Sequence, residues 1–123
     1  MSVILVADDD DDIRDLVAYR LERDGHDVTT VANGLAALEH LASAQVELVI
    51  LDVMMPGMSG IDVARAIRAD GRLAGIRIIL LTARTQEADL EQGYAAGVDD
   101  YVAKPFSPRE LSLRVGAVLA RRT

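Results

Sequence analysis

At 123 residues, with no cysteine and a formal net charge of −7, the chain has the size of one compact domain and excludes disulfide scaffolds, thiolate zinc sites and cysteine nucleophiles. Half of its residues are hydrophobic and 27% are charged, the balance of a globular protein, and the acidic excess argues against direct nucleic-acid binding, which needs a Lys/Arg surface. The charge is uneven, however: residues 8–12 are all Asp, whereas Arg109, Arg114, Arg121 and Arg122 gather near the end, so an acidic site and a basic tail are expected at separate places.

Ser2 to Ala7 predicts a short apolar strand. Its apolar core, Val3 to Val6, is too short for a signal peptide or a membrane span, and five aspartates follow at once; a cytoplasmic protein without a membrane partner is expected. Ile13, Leu16, Val17 and Leu21 recur at helical spacing and Gly25 supplies a stop, which places a helix over residues 11–24, with Asp10 to Asp12 favourable at its first turn. A weaker strand over Val28 to Val31 follows, then a helix capped by Asn33 whose stripe is Leu35, Leu38, Leu41 and Ala42.

Val46 to Leu51 is almost continuously apolar, the pattern of a strand buried on both faces, and it ends on Asp52. A carboxylate among apolar groups loses hydration, so something distant in sequence must compensate Asp52. Pro56, Gly57, Ser59 and Gly60 then form a loop, and Ser59 with Asp62 resembles a capping box for a helix packed through Ile61, Ala64 and Ile67. Ile76 to Leu81 predicts a fourth strand ending on Thr82. The helix expected over residues 86–96 has a thin apolar face, Leu90 and Tyr94, and closes at Gly97. Asp100 to Ala103 is a fifth short strand ending at Lys104 and Pro105, and Ser107, Pro108 and Glu110 mark the start of a last helix to Arg121.

Five alternations of apolar strand and helix predict an α/β domain with a doubly wound parallel sheet covered on both faces. Ligands of such sheets bind beyond the C-terminal strand ends. Asp8 and Asp9, Asp52, Thr82 and Lys104 all follow strands and therefore share one edge. Three carboxylates together call for a cation, and an oxygen-only donor set favours Mg²⁺, which keeps waters for an incoming phosphate. With the Lys104 ammonium and the Thr82 hydroxyl, these are the parts for phosphoryl transfer onto an aspartate.

The segments ILVADDDDDIR, LVILDVMMPGMSG, IILLTAR and DDYVAKPFSP occur in the order found in the receiver domains of two-component response regulators, and the chain resembles that family over residues 1–123. The resemblance implies a (βα)5 flavodoxin-like fold with strand order 2-1-3-4-5. It implies Asp52 as phosphoacceptor, Asp8, Asp9, Asp52 and the Met54 carbonyl as Mg²⁺ ligands, and Thr82, Ala83 and Lys104 as phosphoryl-binding residues. Thr82 and Tyr101 take the switch positions, Pro105 follows a cis peptide bond, and Met54 and Arg84 stand at rate-tuning positions. Neither of these last two is an acid or amide able to orient water, so a phosphorylated lifetime longer than in family members with such groups there is expected.

The implied partners are a sensor histidine kinase or histidine phosphotransfer protein and a downstream output domain or protein, reached through the face of the fourth helix, fifth strand and last helix. A homodimer through that face is an alternative, with Asp99, Asp100, Glu110, Arg114 and Arg121 available for bridges. Two other readings remain open: a phosphatase with an aspartyl-phosphate intermediate, disfavoured by Met54 where a second Asp is usual, and a receiver-like module that binds a partner unphosphorylated. His26 and His40 are expected away from the acidic edge.

Overall fold

The computed structural model describes residues 2–83 and 87–121, and the side chains within 2–83 and 91–121. In chain order it contains β1 (Val3–Ala7), α1 (Asp11–Arg23), β2 (Asp27–Val31), α2 (Gly34–Ser43), β3 (Leu48–Asp52), α3 (Gly60–Ala69), β4 (Arg77–Ala83), α4 (Glu87–Ala95), β5 (Asp100–Lys104) and α5 (Pro108–Ala120). The strands form one parallel sheet in the order β2-β1-β3-β4-β5. The winding direction reverses at β1, leaving a crevice between the C-terminal ends of β1 and β3.

Side chains alternate between the two faces of the sheet, and each face has its own core. Leu5, Val49, Leu51, Ile78 and Leu80 pack against Ala37 and Leu41 of α2 and Ile61, Ala64 and Ile67 of α3. Ile4, Val6, Leu48, Ile50, Ile79, Leu81 and Val102 pack against Val17 and Leu21 of α1 and Leu111, Val115 and Val118 of α5. Each fully buried Val, Leu or Ile side chain among these contributes about 1.5–3 kcal/mol of hydrophobic stabilisation. β3 is buried at every position, as its unbroken apolar run predicts.

Polar caps hold the helix starts. Asp10 accepts the N–H groups of Asp12 and Ile13, and Asn33 that of Ala36. The Ser59–Asp62 capping box is reciprocal, with bonds of 3.1 and 3.2 Å. At α5, Ser107 accepts from the Glu110 N–H at 3.0 Å, and Pro108 occupies the first turn.

Several expectations are corrected. Leu16 is 42% exposed and Leu35 63% exposed, and Ala42 also faces solvent. The buried stripe of α2 is instead Gly34, Ala37 and Leu41. A Cβ on Gly34 would stand 2.8 Å from Val63 Cγ2 and 3.0 Å from Met58 Cβ, so the helix start lies close against the β3–α3 connection and turns that stripe inward. A 3-10 turn, Gly71–Leu73, interrupts the loop after α3, with the Asp70 carboxylate accepting from the Arg72 N–H. β4 runs one residue past Thr82, because Ala83 still pairs with Lys104. The Leu90 side chain lies outside the described side chains; Tyr94 is half exposed and meets Tyr101 edge-on, with ring centroids 6.1 Å apart.

Candidate functional site

The crevice brings Asp8, Asp9 and Asp52 together: one carboxylate oxygen from each lies within 4.8 Å of the others. Asp8 directly follows β1 and is fully buried; Asp52 is the last residue of β3 and is 5% exposed; Asp9 is exposed. Local bonds fix this turn of chain. The Asp8 N–H donates to the Val31 carbonyl, Asp8 Oδ1 accepts from the Asp10 N–H at 2.9 Å, and Arg14 Nη1 donates to the Asp8 carbonyl at 2.8 Å. Asp10, Asp11 and Asp12 belong to the start of α1.

Asp52 is held from the other side by its loop. Gly60 opens α3 directly against the end of β3, where a Cβ would collide with the Asp52 carbonyl oxygen and stand 2.9 Å from its carbon. Only glycine permits that approach. The Gly60 N–H donates to the Val53 carbonyl and the Val53 N–H to the Leu81 carbonyl, tying the loop to β4. The Met54 N–H donates to Asp52 Oδ1 at 3.4 Å, while the Met54 side chain is 62% exposed.

Lys104, at the end of β5, places its Nζ 3.1 Å from Asp8 Oδ2 and 3.1 Å from Asp52 Oδ1. This double bridge was not anticipated, and nothing local signals it, since its partners lie 96 and 52 positions away. One ammonium does not balance three acids. Carboxylates at 4.8 Å repel by about 3 kcal/mol at an effective dielectric of ~20. Burial, and then the Asp8 charge, push the Asp52 pKa up from 3.8 to about 6, against the lowering effects of Lys104 and the Met54 N–H. Burial works against the Lys104 ammonium, but its hydrogen bonds and charge interactions with Asp52 and Asp8 outweigh this and raise its pKa. The residual negative charge and the all-oxygen donor set suit a hard divalent cation.

Thr82 and Tyr101 stand on the other face of the sheet. Thr82 shares its strand face with Leu80, which belongs to the core under α3, and Tyr101 packs against that same core. The Thr82 hydroxyl is buried and donates to the Ala83 carbonyl at 3.3 Å; among the described residues it forms no bond to Asp52. Ala83 ends β4 beside Lys104, and the Lys104–Pro105 peptide is cis. Arg84 lies outside the described residues. Four of the five residues set aside for bridges between copies are engaged within the chain: Arg114 pairs with Asp100 at 3.3 Å, Arg68 with Asp99 at 3.1 Å, and Arg121 Nη1 donates to the Asp99 carbonyl.

A groove of about 490 Å³, lined by Asp9, Asn33, Leu35, Pro56 and Met58, opens beside the acidic cluster. The larger hollow, about 550 Å³, lies at the opposite edge near Val3, Glu47 and Arg72, away from this chemistry. His26 is also at that far edge, where its Nδ1 accepts from the Ser2 N–H. Among the described residues, no helix is long and apolar enough to cross a membrane.

Comparison with known proteins agrees with this fold. The family model of the response regulator receiver domain matches residues 4–116. The DNA-binding response regulator MtrA of Mycolicibacterium smegmatis is 44% identical over 118 residues, which cover 96% of this chain and 50% of that protein. The alkaline phosphatase synthesis transcriptional regulatory protein PhoP of Bacillus subtilis is 43% identical, covering 96% of this chain and 48% of its own. The chain thus spans about half the length of the curated relatives it matches. The crystal structure of the chemotaxis response regulator CheY4 of Vibrio cholerae superposes with a TM-score of 0.91 at 32% identity, covering 96% of this chain and 98% of that one.

Proposed function

Because the chain belongs to the response regulator receiver domain family of two-component systems, we propose that it is a switch in which Asp52 accepts a phosphoryl group from a histidine on a partner kinase or phosphotransfer protein. The observation that carries this reading is the convergence of Asp8, Asp9 and Asp52 with Lys104 from separate strands. Receiver domains are signalling domains and not enzymes in the ordinary sense; the assistance this chain gives to gain and loss of its own phosphoryl group is part of the proposal. Residues 1–123 are assigned to one receiver unit, acting in the cytoplasm.

In the transfer, an Asp52 carboxylate oxygen forms a bond to phosphorus while the bond from phosphorus to the donor nitrogen breaks, and the imidazole leaves with its electron pair. Asp8, Asp9, Asp52 and the Met54 carbonyl would hold Mg²⁺, which when bound supplies the positive charge that lets acidic side chains and phosphoryl oxygens share the crevice. Lys104, whose ammonium bonds Asp52, would pair with a phosphoryl oxygen. The Thr82 hydroxyl and the Ala83 N–H are assigned to the phosphoryl oxygens after transfer. Turning Thr82 toward the phosphoryl group would open space on its face of the sheet for Tyr101 to move inward, repacking α4, β5 and α5 as the output surface. An output domain or protein partner would read that surface. A homodimer through it would require Arg114 and Asp100 to exchange their present pairing for one between copies.

The test is incubation with acetyl phosphate and Mg²⁺ followed by mass spectrometry of the wild type and Asp52→Asn. A stable phosphoryl adduct in the wild type alone is expected. Continuous release of phosphate would favour the phosphatase, and an unmodified wild type would favour a module that works unphosphorylated. Amide exchange over residues 82–106 should change on phosphorylation; unaltered exchange there would remove the output surface from the proposal.

A further inference from the structure

Met54, Met55 and Met58 all lie on the loop that follows Asp52. These residues are not equally open: Met55 is 7% exposed within the core, Met58 is partly buried against it, and Met54 is 62% exposed. The Met54 N–H bonds Asp52 Oδ1, so this side chain leaves the backbone at the rim of the acidic crevice. We propose that Met54 is a redox modification site, at which a hydroperoxide converts the thioether to a sulfoxide and thereby shortens the life of the phosphoryl group on Asp52. The kinetic half of this inference rests on Asp52 being the phosphoacceptor.

The chemistry needs only a peroxide as co-reactant. A sulfur lone pair attacks the OH-bearing peroxide oxygen, the O–O bond breaks as the S–O bond forms, and the departing alkoxide, or hydroxide when the oxidant is hydrogen peroxide, takes the proton from the transferred oxygen and leaves as an alcohol or water. Sulfur is oxidised by two electrons and the peroxide reduced by two. The product replaces a weakly accepting thioether with a strongly accepting S–O group. Hydrolysis of an acyl phosphate needs a water that sheds a proton as it attacks, and an acceptor beside that water accelerates it. Reduced Met54 offers only a weak acceptor. Reduction of the sulfoxide restores the slow form, which makes the modification a reversible timer on the switch.

The test uses the whole chain treated with graded hydrogen peroxide. Peptide mapping should show Met54 gaining oxygen before Met55 and Met58. After loading with acetyl phosphate and Mg²⁺, the treated protein should lose its phosphoryl group about fivefold faster than the untreated protein, a small part of the ~100-fold that a well-placed base can supply. Methionine sulfoxide reductase should reverse the change. A Met54→Leu chain should show no difference between its own treated and untreated forms, and Met54→Gln should lose phosphate faster with no oxidant present. Oxidation of Met58 ahead of Met54 would overturn the site, and an unaltered half-life with Met54 fully oxidised would overturn its effect. A wild type that never takes up phosphate would overturn the phosphoacceptor reading and the kinetic half with it, while the peptide map would still decide whether Met54 is the preferred sulfur.

Discussion

Lys104 Nζ lies 3.1 Å from Asp52 Oδ1 and 3.1 Å from Asp8 Oδ2, within the carboxylate cluster that the proposed function gives to a divalent cation. Ammonium and metal therefore compete for one pool of negative charge. Lys104→Met should bind Mg²⁺ about tenfold more tightly, equivalent to ~1.4 kcal/mol, because the metal no longer has a cation beside it. The same variant without Mg²⁺ should be less stable by about 2 kcal/mol, since two buried carboxylates lose their counter-charge; the figure is set below that of a fully buried pair because the ammonium is partly solvated. Titration calorimetry and urea midpoints with and without Mg²⁺ check both, and unchanged or weaker Mg²⁺ binding would count against the competition.

Asp52 predicts a pH dependence of stability. Its carboxyl is raised from 3.8 to about 6, by burial first and the Asp8 charge second. The folded state therefore holds a proton between pH 4 and 6 that the unfolded chain releases. By linkage, stability falls as pH rises through this window, is greatest below the unfolded pKa, and levels off above the folded one. The difference between 3.8 and about 6 amounts to about 3 kcal/mol. Asp52→Asn should stabilise the metal-free chain at pH 7 by up to that amount and show little difference below pH 4. Urea midpoints across pH 4 to 8 measure it, and Mg²⁺ should narrow the gap by favouring the ionised carboxylate.

The acidic edge was legible because it depends on strand ends: unbroken apolar runs locate β3 and β4, and the parallel sheet carries the residues after them to one side. The Ser59–Asp62 cap was legible for a similar reason, since its bonds span three residues. The inward face of α2 was not. LAALEHLA offers two apolar stripes that share Leu38 and Leu41, and the choice is made by the contact of Gly34 with Met58 and Val63, far along the chain. Lys104 could be placed at the edge from sequence, but its present role as counter-ion depends on β1, β3 and β5 together. Arg68 gave no signal at all, being one arginine among several on an amphipathic helix.

Gly60 should tolerate no side chain. Gly60→Ala drives a methyl into the Asp52 backbone rather than into a flexible side chain, so a loss of about 3 kcal/mol and slower uptake of phosphate from acetyl phosphate are expected. Gly116, exposed on α5 with nothing near a built Cβ, is the contrast: Gly116→Ala should stabilise by about 0.5–1 kcal/mol and leave uptake unchanged. Urea midpoints and the mass-spectrometric uptake assay separate the two. Equal effects at both positions would show that the close approach at Asp52 does not constrain the site.

Arg68 joins α3 to the connection between α4 and β5. Its guanidinium donates to the carbonyls of Gly97 at 2.9 Å and Ile76 at 2.6 Å and pairs with Asp99 Oδ2 at 3.1 Å, while Asp99 Oδ2 also accepts the Ile78 N–H at 2.7 Å. Gly97, at φ +94, has the Arg68 chain packed directly against it. One side chain thus anchors the C-terminal end of α4 to an element outside the proposed output face. Arg68→Ala should cost about 2 kcal/mol, from the charge-assisted bonds and the carbonyls left without partners. Its more specific mark is local: amide exchange at residues 96–100 should quicken more than in the β1 and β3 core. Arg68→Lys should recover little, because one ammonium cannot span three acceptors held in a fork. Uniform exchange across the sheet, or full recovery by lysine, would mean that Arg68 adds charge to this surface without anchoring α4.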